Sequence, residues 1–452
     1  MNDTRRRLIP LTFPPRKPHI EAAMRPHLAL GGAAAVVALL LFTSSATAGT
    51  LVSSGSPPPA MITGITIYVD DDATNDPGPN DPTISDPLED GSEAHPFDRI
   101  EEALNLASVD TTVQILPGVY TERVDVPASG CQIAGSGAGQ TLVRQPSGQV
   151  LNARGLGYAN PPGPPALLVV RDLSMEGSLG IFNSRFSLQP PLNSIVIERV
   201  ILMGDLSVDG FSSEIRMNDV TIPSGGIIFS VSNESQSSLT LSSVDAPDTV
   251  ITLRPSTEAF SSLTVSDSTL SGIRWGGNSN AHGTRIHASN TRFTGDGISS
   301  FSGSACYQGV VIEDCVFERG GIHVGDLSAG YSTCNQSFGR TSVRRSRFLD
   351  AGITYDAVFG YQDNSLPGDF LLEMDANRFS GAGLSASLVH PFVSSTGSAA
   401  LRITNNIFES GGPCLVVSWG VDNTDPSDVP ADFRLEVVNN TFVGCGIVMS
   451  VS

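Results

Sequence analysis

The sequence predicts an all-β chain built as a parallel β-solenoid. Three observations carry that prediction. A unit of 20 to 34 residues recurs eleven times, each unit holds the same short strand with period-two burial, and no 3.6-residue apolar period runs through the units. Each unit is anchored on one apolar residue. The clearest copies are Asn290-Thr291-Arg292-Phe293, Asp314-Cys315-Val316-Phe317, Asn405-Asn406-Ile407-Phe408 and Asn439-Asn440-Thr441-Phe442, with weaker anchors at Met175, Leu202, Ile222, Ala246, Leu270, Phe348 and Phe379. Seven and five residues before the anchors stand 22 positions, of which only Thr341 is not apolar. That alternation is a strand with one face inward. After the anchor comes Gly followed by Ile or Leu, as in Gly226-Ile227, Gly297-Ile298, Gly321-Ile322, Gly352-Ile353 and Gly383-Leu384, which reads as a turn opening a second strand. Units of strand, polar turn and strand stack by parallel pairing at about 4.8 Å each, so eleven extend roughly 50 Å. A β-sandwich would alternate without this fixed repeat, and a propeller would need longer, four-stranded units.

The 452 residues carry only 16 % charged side chains, with 46 Asp+Glu against 26 Lys+Arg and a net charge of −20. The single lysine, Lys17, and five arginines lie before residue 49, and the remainder has a net charge of −24. A nucleic-acid partner is therefore excluded, because phosphate contacts need a basic surface.

The N-terminus explains the basic residues. Leu28 to Phe42 is an apolar run preceded by positive charge and followed by Ala46-Thr47-Ala48, a small-x-small cleavage site. Residues 1–48 thus read as a secretory signal peptide, whose start lies at Met1 or at Met24, and 49–66 as a linker. The expected location is secreted or at the cell surface, with no membrane span left after cleavage. The six cysteines are an even set in an exported chain. Cys414 and Cys445 are 31 residues apart, about one unit, and are expected to pair; Cys306 and Cys334, 28 apart, are a second candidate pair.

Residues 67–112 open with Ile67-Tyr68-Val69-Asp70 and continue through Asp90-Gly91-Ser92 to Pro96-Phe97-Asp98-Arg99-Ile100-Glu101-Glu102-Ala103-Leu104. Val113-Gln114-Ile115-Leu116-Pro117-Gly118-Val119-Tyr120-Thr121-Glu122 follows. This segment resembles the N-terminal part of the secreted pectin lyase-like superfamily. The resemblance implies a right-handed parallel β-helix over 113–452, with a helix at Phe97 to Ala107 capping its open end through Ile100, Ala103, Leu104 and Ala107. It implies polysaccharide as the partner class and leaves the chemistry open, because that family holds lyases, hydrolases, esterases and inactive adhesins. Individual enzyme motifs are incomplete. Gly118-Val119-Tyr120-Thr121-Glu122 matches a pectin methylesterase motif, but Asp356 and Gln362-Asp363 stand in the reverse of that family's order. We read it as a structural turn. Ala281-His282-Gly283 lacks the first Gly of the polygalacturonase motif, and lyases with a Lys base are excluded because no Lys follows residue 48.

Outward ladders are the candidate site. Four residues before the anchor stand Glu313, Arg344 and Asp375 on consecutive units; six before stand His287 and, later, Glu373, Arg402 and Glu436. Stacking brings such residues within about 5 Å. If the protein is an enzyme, Glu313, Arg344, Asp375, Glu373 and Arg402 form the catalytic cluster, with His287 at its edge. Two carboxylates would hydrolyse a glycosidic bond, or Ca²⁺ would neutralise a uronate while Arg344 or His287 moves a proton. Alternating signs that merely satisfy one another give the same pattern. The Asp or Asn three residues before seven of the eleven anchors (Asp172, Asp219, Asp267, Asn290, Asp314, Asn405 and Asn439) is expected to bond turn backbone. His323 is expected as an isolated surface residue, and Trp275 and Trp419 as loop residues that stack sugars or pack. Between Asp70 and Gly91 eight acids and four prolines suggest Ca²⁺ held by Asp70, Asp71, Asp72, Asp76 and Asp90. Two functions remain: a polysaccharide-binding protein, lyase or hydrolase, and a non-catalytic surface or adhesion protein.

Overall fold

A computed structural model describes residues 64–71, 88–156, 166–182, 193–210, 213–231, 236–256, 259–276, 283–300, 307–328, 338–358, 369–390, 398–410, 413–421 and 432–451. The signal peptide, most of the linker, Asp72, Asp76, Cys306 and Cys334 lie outside them. All the described residues belong to one compact unit, Ala60–Ser452. They form 31 strands, paired in parallel in one sheet, and one helix, Ile100–Leu106.

The pairing follows the repeat. Leu168 pairs with Ile195, Ile195 with Ile215, Ile215 with Leu239, and Leu239 with Leu263. The lane continues through Ile286, Val310, Thr341, Leu372, Leu401 and Leu435. Every apolar residue of this lane up to Leu401 is buried, and so is Thr341. The anchors form a second lane. Phe293, Phe317, Phe348, Phe379, Phe408 and Phe442 stack face to face with centroids 4.5–5.1 Å apart. Such aromatic stacks add to the area they bury.

Each later repeat has three strands, one more than expected. Tyr307–Glu313, Val316–Phe317 and Gly321–Ser328 make one repeat; Phe338–Arg344, Arg347–Leu349 and Gly352–Val358 make the next. The anchor strand is two or three residues between two bends, too short to show a period of its own. In earlier repeats it fuses with the first strand, as in Ser213–Ser224.

The first bend is set by a left-handed residue three before every anchor, from Asp172 (φ 59°) through Asn290 (φ 46°) to Asn439 (φ 55°). Asp and Asn tolerate that conformation, which explains their recurrence there. The ladder that bonds the backbone stands one residue later, contrary to expectation. The amide of Cys315 donates to Ser346 Oγ (3.1 Å), that of Ser346 to Asn377 Oδ1 (2.9 Å), that of Asn377 to Asn406 Oδ1 (2.9 Å), and that of Asn406 to Asn440 Oδ1 (2.9 Å). The glycine that opens the third strand has a packing reason. A Cβ on Gly352 would lie 2.6 Å from the carbonyl oxygen of Gly383, and one on Gly321 or Gly383 would collide with the backbone of the next repeat.

At the N-terminal end Ile65–Val69 pairs with Thr111–Ile115, so the first strand begins two residues inside the expected linker. The helix buries Ile100, Ala103 and Leu104 and stops at Ala107, which is partly buried. Its own N-cap residue, Arg99, makes no side-chain cap; the Glu122 carboxylate accepts the amides of Ile100 (3.0 Å) and Glu101 (3.1 Å) instead. Orphan helix amides need such a partner. The Tyr120 hydroxyl sits 3.1 Å from Leu116 O, and a side chain at Gly118 would strike the Asp71 carboxylate. Gly118-x-Tyr120-x-Glu122 is thus a fold-building motif. Cys414 and Cys445 form a disulfide with Cα atoms 5.6 Å apart on adjacent repeats, as their spacing predicts. No helix among the described residues is long and apolar enough to cross a membrane.

Candidate functional site

The ladder residues stand at the expected registers. Glu313 pairs with Arg344 and Arg344 with Asp375; Glu373 pairs with Arg402 and Arg402 with Glu436. Side-chain partners differ from register partners. Arg344 turns diagonally to Glu373 (3.6 Å), while Glu313 meets Arg345 (3.8 Å), whose main partner is Asp314 (2.7 Å). Asp375 accepts from Thr404 and Asn405 (both 2.8 Å), and these bonds, Asn405's first, hold its carboxyl below the usual range. Glu373 is the centre. Its side chain is 11 % exposed and contacts Arg340 (2.9 Å) and Arg402 (2.7 Å) besides Arg344. Arg402 also reaches Glu436 (3.3 Å), which meets Arg434 (3.6 Å).

A carboxylate with three guanidinium partners has its acceptor capacity used by the fold. The cluster is a closed ion-pair network of alternating sign. His287 stands on the repeat before Glu313, whose register partner is Ser289, and it is three rungs of about 4.8 Å, some 14 Å, from Glu373. Its Nε2 is shielded and has no hydrogen-bond partner among the described residues.

The acidic loop is only partly described. The Asp71 carboxylate accepts the Val119 amide (3.0 Å), and Asp90 accepts from Ser92, whose side chain first and amide (2.9 Å) second hold Asp90 below the usual range. Among the described residues the carboxylates that gather closely enough to hold a metal ion are Glu89, Asp98 and Glu102, with ligand atoms all within 4.8 Å of one another. They converge from the loop's end, the segment before the helix and the helix itself. Burial pushes Glu102 up to about 7, and its hydrogen bond to Asp98 and the charge of Glu89 push the same way. Hard oxygen donors of this kind suit Ca²⁺.

A groove of about 450 Å³ lies over the third-strand lane. It exists because side chains are missing. Gly320, Gly321, Gly352, Ala382 and Gly383 line it on three successive repeats. Along the floor runs the outward lane His323, Thr354, Ser385 and Val416, each paired with the next. Asp296 and Asp350 also line the groove. Asp296 is held by Arg274 at 2.6 Å. The His323 ring lies over Gly325, where a Cβ would come within 2.6 Å of Nε2. His323 is exposed and outward beside buried Ile322, as expected, and its register partner on the next repeat is Thr354. The signal for the groove was present in the sequence as small residues recurring just before the Gly-Ile/Leu pair. Trp275 and Trp419 do not line it; both are in strands, Trp275 fully buried and Trp419 stacked on Phe433 at 4.6 Å.

The chain matches no family model, no curated protein and no solved structure.

Proposed function

We propose that this chain is an exported right-handed parallel β-helix, of the pectin lyase-like kind, that binds an extracellular polysaccharide in the groove. The β-helix reading is supported by parallel pairing of each repeat with the next and by a left-handed bend at a constant place in every repeat. Export is supported by the Cys414–Cys445 disulfide, which belongs to an oxidising compartment. The observation that carries glycan binding is the lane of His323, Thr354 and Ser385 beside Asp296 and Asp350 on a floor of small residues. Hydroxyls, imidazole and carboxylate fixed on rigid strands are what sugar hydroxyls require. A neutral glycan fits better than a polyanion, since a net charge of −20 repels the latter unless Ca²⁺ bridges it.

Binding without cleavage is the better reading, because Glu373, the most shielded carboxylate of the ladder, is engaged by three arginines. The test is a polysaccharide panel, with and without Ca²⁺, on wild type, His323→Ala and Ser385→Tyr, which fills the groove. We expect a neutral glycan to bind, both variants to weaken it at least roughly tenfold, and no reducing ends to appear. A panel without binders, or variants that bind as wild type does, would overturn the site. Release of reducing ends would replace binding by cleavage, hydrolytic if no unsaturated end appears with them and eliminative if one does.

A further inference from the structure

The groove has two unlike ends. The outward lane that floors it reads Ser299, His323, Thr354, Ser385 and Val416 on successive repeats, each paired with the next. Ser299 pairs in turn with Arg274, whose guanidinium holds Asp296 at 2.6 Å. One end is therefore charged, and the middle carries hydrogen-bonding groups. At the other end the lining residues are Val416 and Pro413, whose side chains have no polar atom. Val416 is half-buried and Pro413 exposed.

That apolar end comes from an irregularity in the repeat. Ile322, Ile353 and Leu384 each follow their anchor, Phe317, Phe348 and Phe379, by five residues, whereas Leu415 follows Phe408 by seven. The register slips at this place, between Pro413 and Leu415. Bulges of this kind re-aim side chains, and this one brings Pro413 to the groove. It is fixed from two sides. Cys414, inside it, is fully buried and bonded to Cys445. The Cys414 carbonyl is pressed against the floor at Gly383, where a Cβ would collide with it. Val416 and Pro413 thus form a rigid apolar step at the end of a hydroxyl-bearing lane.

We infer that this step is a specificity element that seats a methyl group carried by the neutral glycan, either that of an O-acetyl ester or that of a deoxy sugar. The inference rests on the groove being a glycan site and adds which glycan it selects. A bare sugar hydroxyl set on Val416 and Pro413 loses its water and finds no partner. A methyl group there has no hydrogen bond to lose and covers apolar surface. Hydroxyls elsewhere on the same sugar chain meet Ser385, Thr354 and His323. The Arg274–Asp296 pair offers no such seat at the other end, so the substituent also sets the direction in which the chain lies.

The test is isothermal titration calorimetry of the full chain with two matched pairs of neutral polysaccharide. One pair is acetylated glucomannan before and after deacetylation in mild alkali; the other is fucosylated xyloglucan before and after removal of its fucose. Wild type is expected to bind the substituted member of at least one pair about tenfold more tightly than its stripped partner, the order expected for a methyl group in an apolar site. Preference in the first pair names the ester as the source of the methyl, and preference in the second names the deoxy sugar. Val416→Thr keeps the outline of the side chain and puts a hydroxyl on the step, so the affinity ratio should fall toward one. Pro413→Ser should lower the ratio in the same way. Both positions face outward, and an unchanged far-UV spectrum checks that the repeat is intact. Equal or reversed affinities in both pairs, or a preference that survives both variants, would overturn the inference and leave the groove a glycan site. If no member of either pair binds, the groove's assignment and the inference fall together.

Discussion

Asn406 and Asn405 are neighbours whose side chains do opposite things, so replacing each tests the architecture of the bend. Asn406 is completely buried. Its Oδ1 accepts the Asn377 amide (2.9 Å) and its Nδ2 donates to the Met374 carbonyl (3.1 Å) and to Asn440 Oδ1 (3.0 Å). Asn406→Ala removes the ladder partner of two backbone groups, the Asn377 N–H and the Met374 C=O. Each buried group left unsatisfied costs about 1–3 kcal/mol, so the variant should lose about 2–6 kcal/mol. Asn405 sits at φ 57° with its side chain on Asp375, facing solvent. Asn405→Gly deletes that side chain where glycine is conformationally at ease, and should cost less than about 1 kcal/mol. A stack of repeats loses stability locally first, so amide exchange is the sharper assay. The Asn377 amide should exchange at least about thirtyfold faster in Asn406→Ala, a tenfold change being about 1.4 kcal/mol. Urea midpoints should rank wild type and Asn405→Gly together and Asn406→Ala lower. Equal midpoints for the two variants, or unchanged exchange at Asn377, would refute the assignment of the ladder to the second residue of the bend.

Two further outcomes are expected. Leu263→Asp, at a position 1 % exposed, buries an unpaired charge and should lower the melting temperature by the equivalent of several kcal/mol, while Thr264→Asp on the outward register should change it little; equal melting temperatures would sink the register. Glu102 has its carboxyl raised from 4.5 to about 7, so the folded state favours the protonated form and the N-terminal end should be firmest below about pH 4.5, loosening as pH rises through about 7. Protease resistance of the helix segment, followed from pH 4.5 to 8, should fall in wild type and stay flat in Glu102→Gln; parallel curves would remove Glu102 as the cause.

The repeat was legible because its signals are local and redundant. Asp or Asn falls three before seven of the eleven anchors, and inward pairs such as Leu263 and Val265 fall seven and five before it, so the register could be counted off the chain. The disulfide followed from the same counting, since one repeat separates Cys414 from Cys445. The short anchor strand was not legible, because two or three residues cannot display a period. Side-chain partners failed for a different reason. Register fixes which Cα atoms are neighbours, but an arginine spans a diagonal as easily as a rung, so Arg344 passes over its lane neighbours for Glu373, where Arg340 and Arg402 also converge.

The sites most open to solvent chemistry were hidden for the same two physical reasons. Glu89, Asp98 and Glu102 meet only once the helix has docked, and nothing in their spacing forecasts the contact. The groove is written in small residues, Gly320, Gly352, Ala382 and Gly383, and their recurrence in the sequence reads as a turn before it reads as a floor. A scan for charged or aromatic clusters therefore points to the ladder around Glu373, where charges are plentiful because they satisfy one another. On a stacked sheet, crowded charge marks where the protein binds itself, and a run of small residues under a polar lane marks where it has left room for something else. That inversion is why His323, Thr354 and Ser385, and not Glu373, are the residues whose replacement should change what the protein binds.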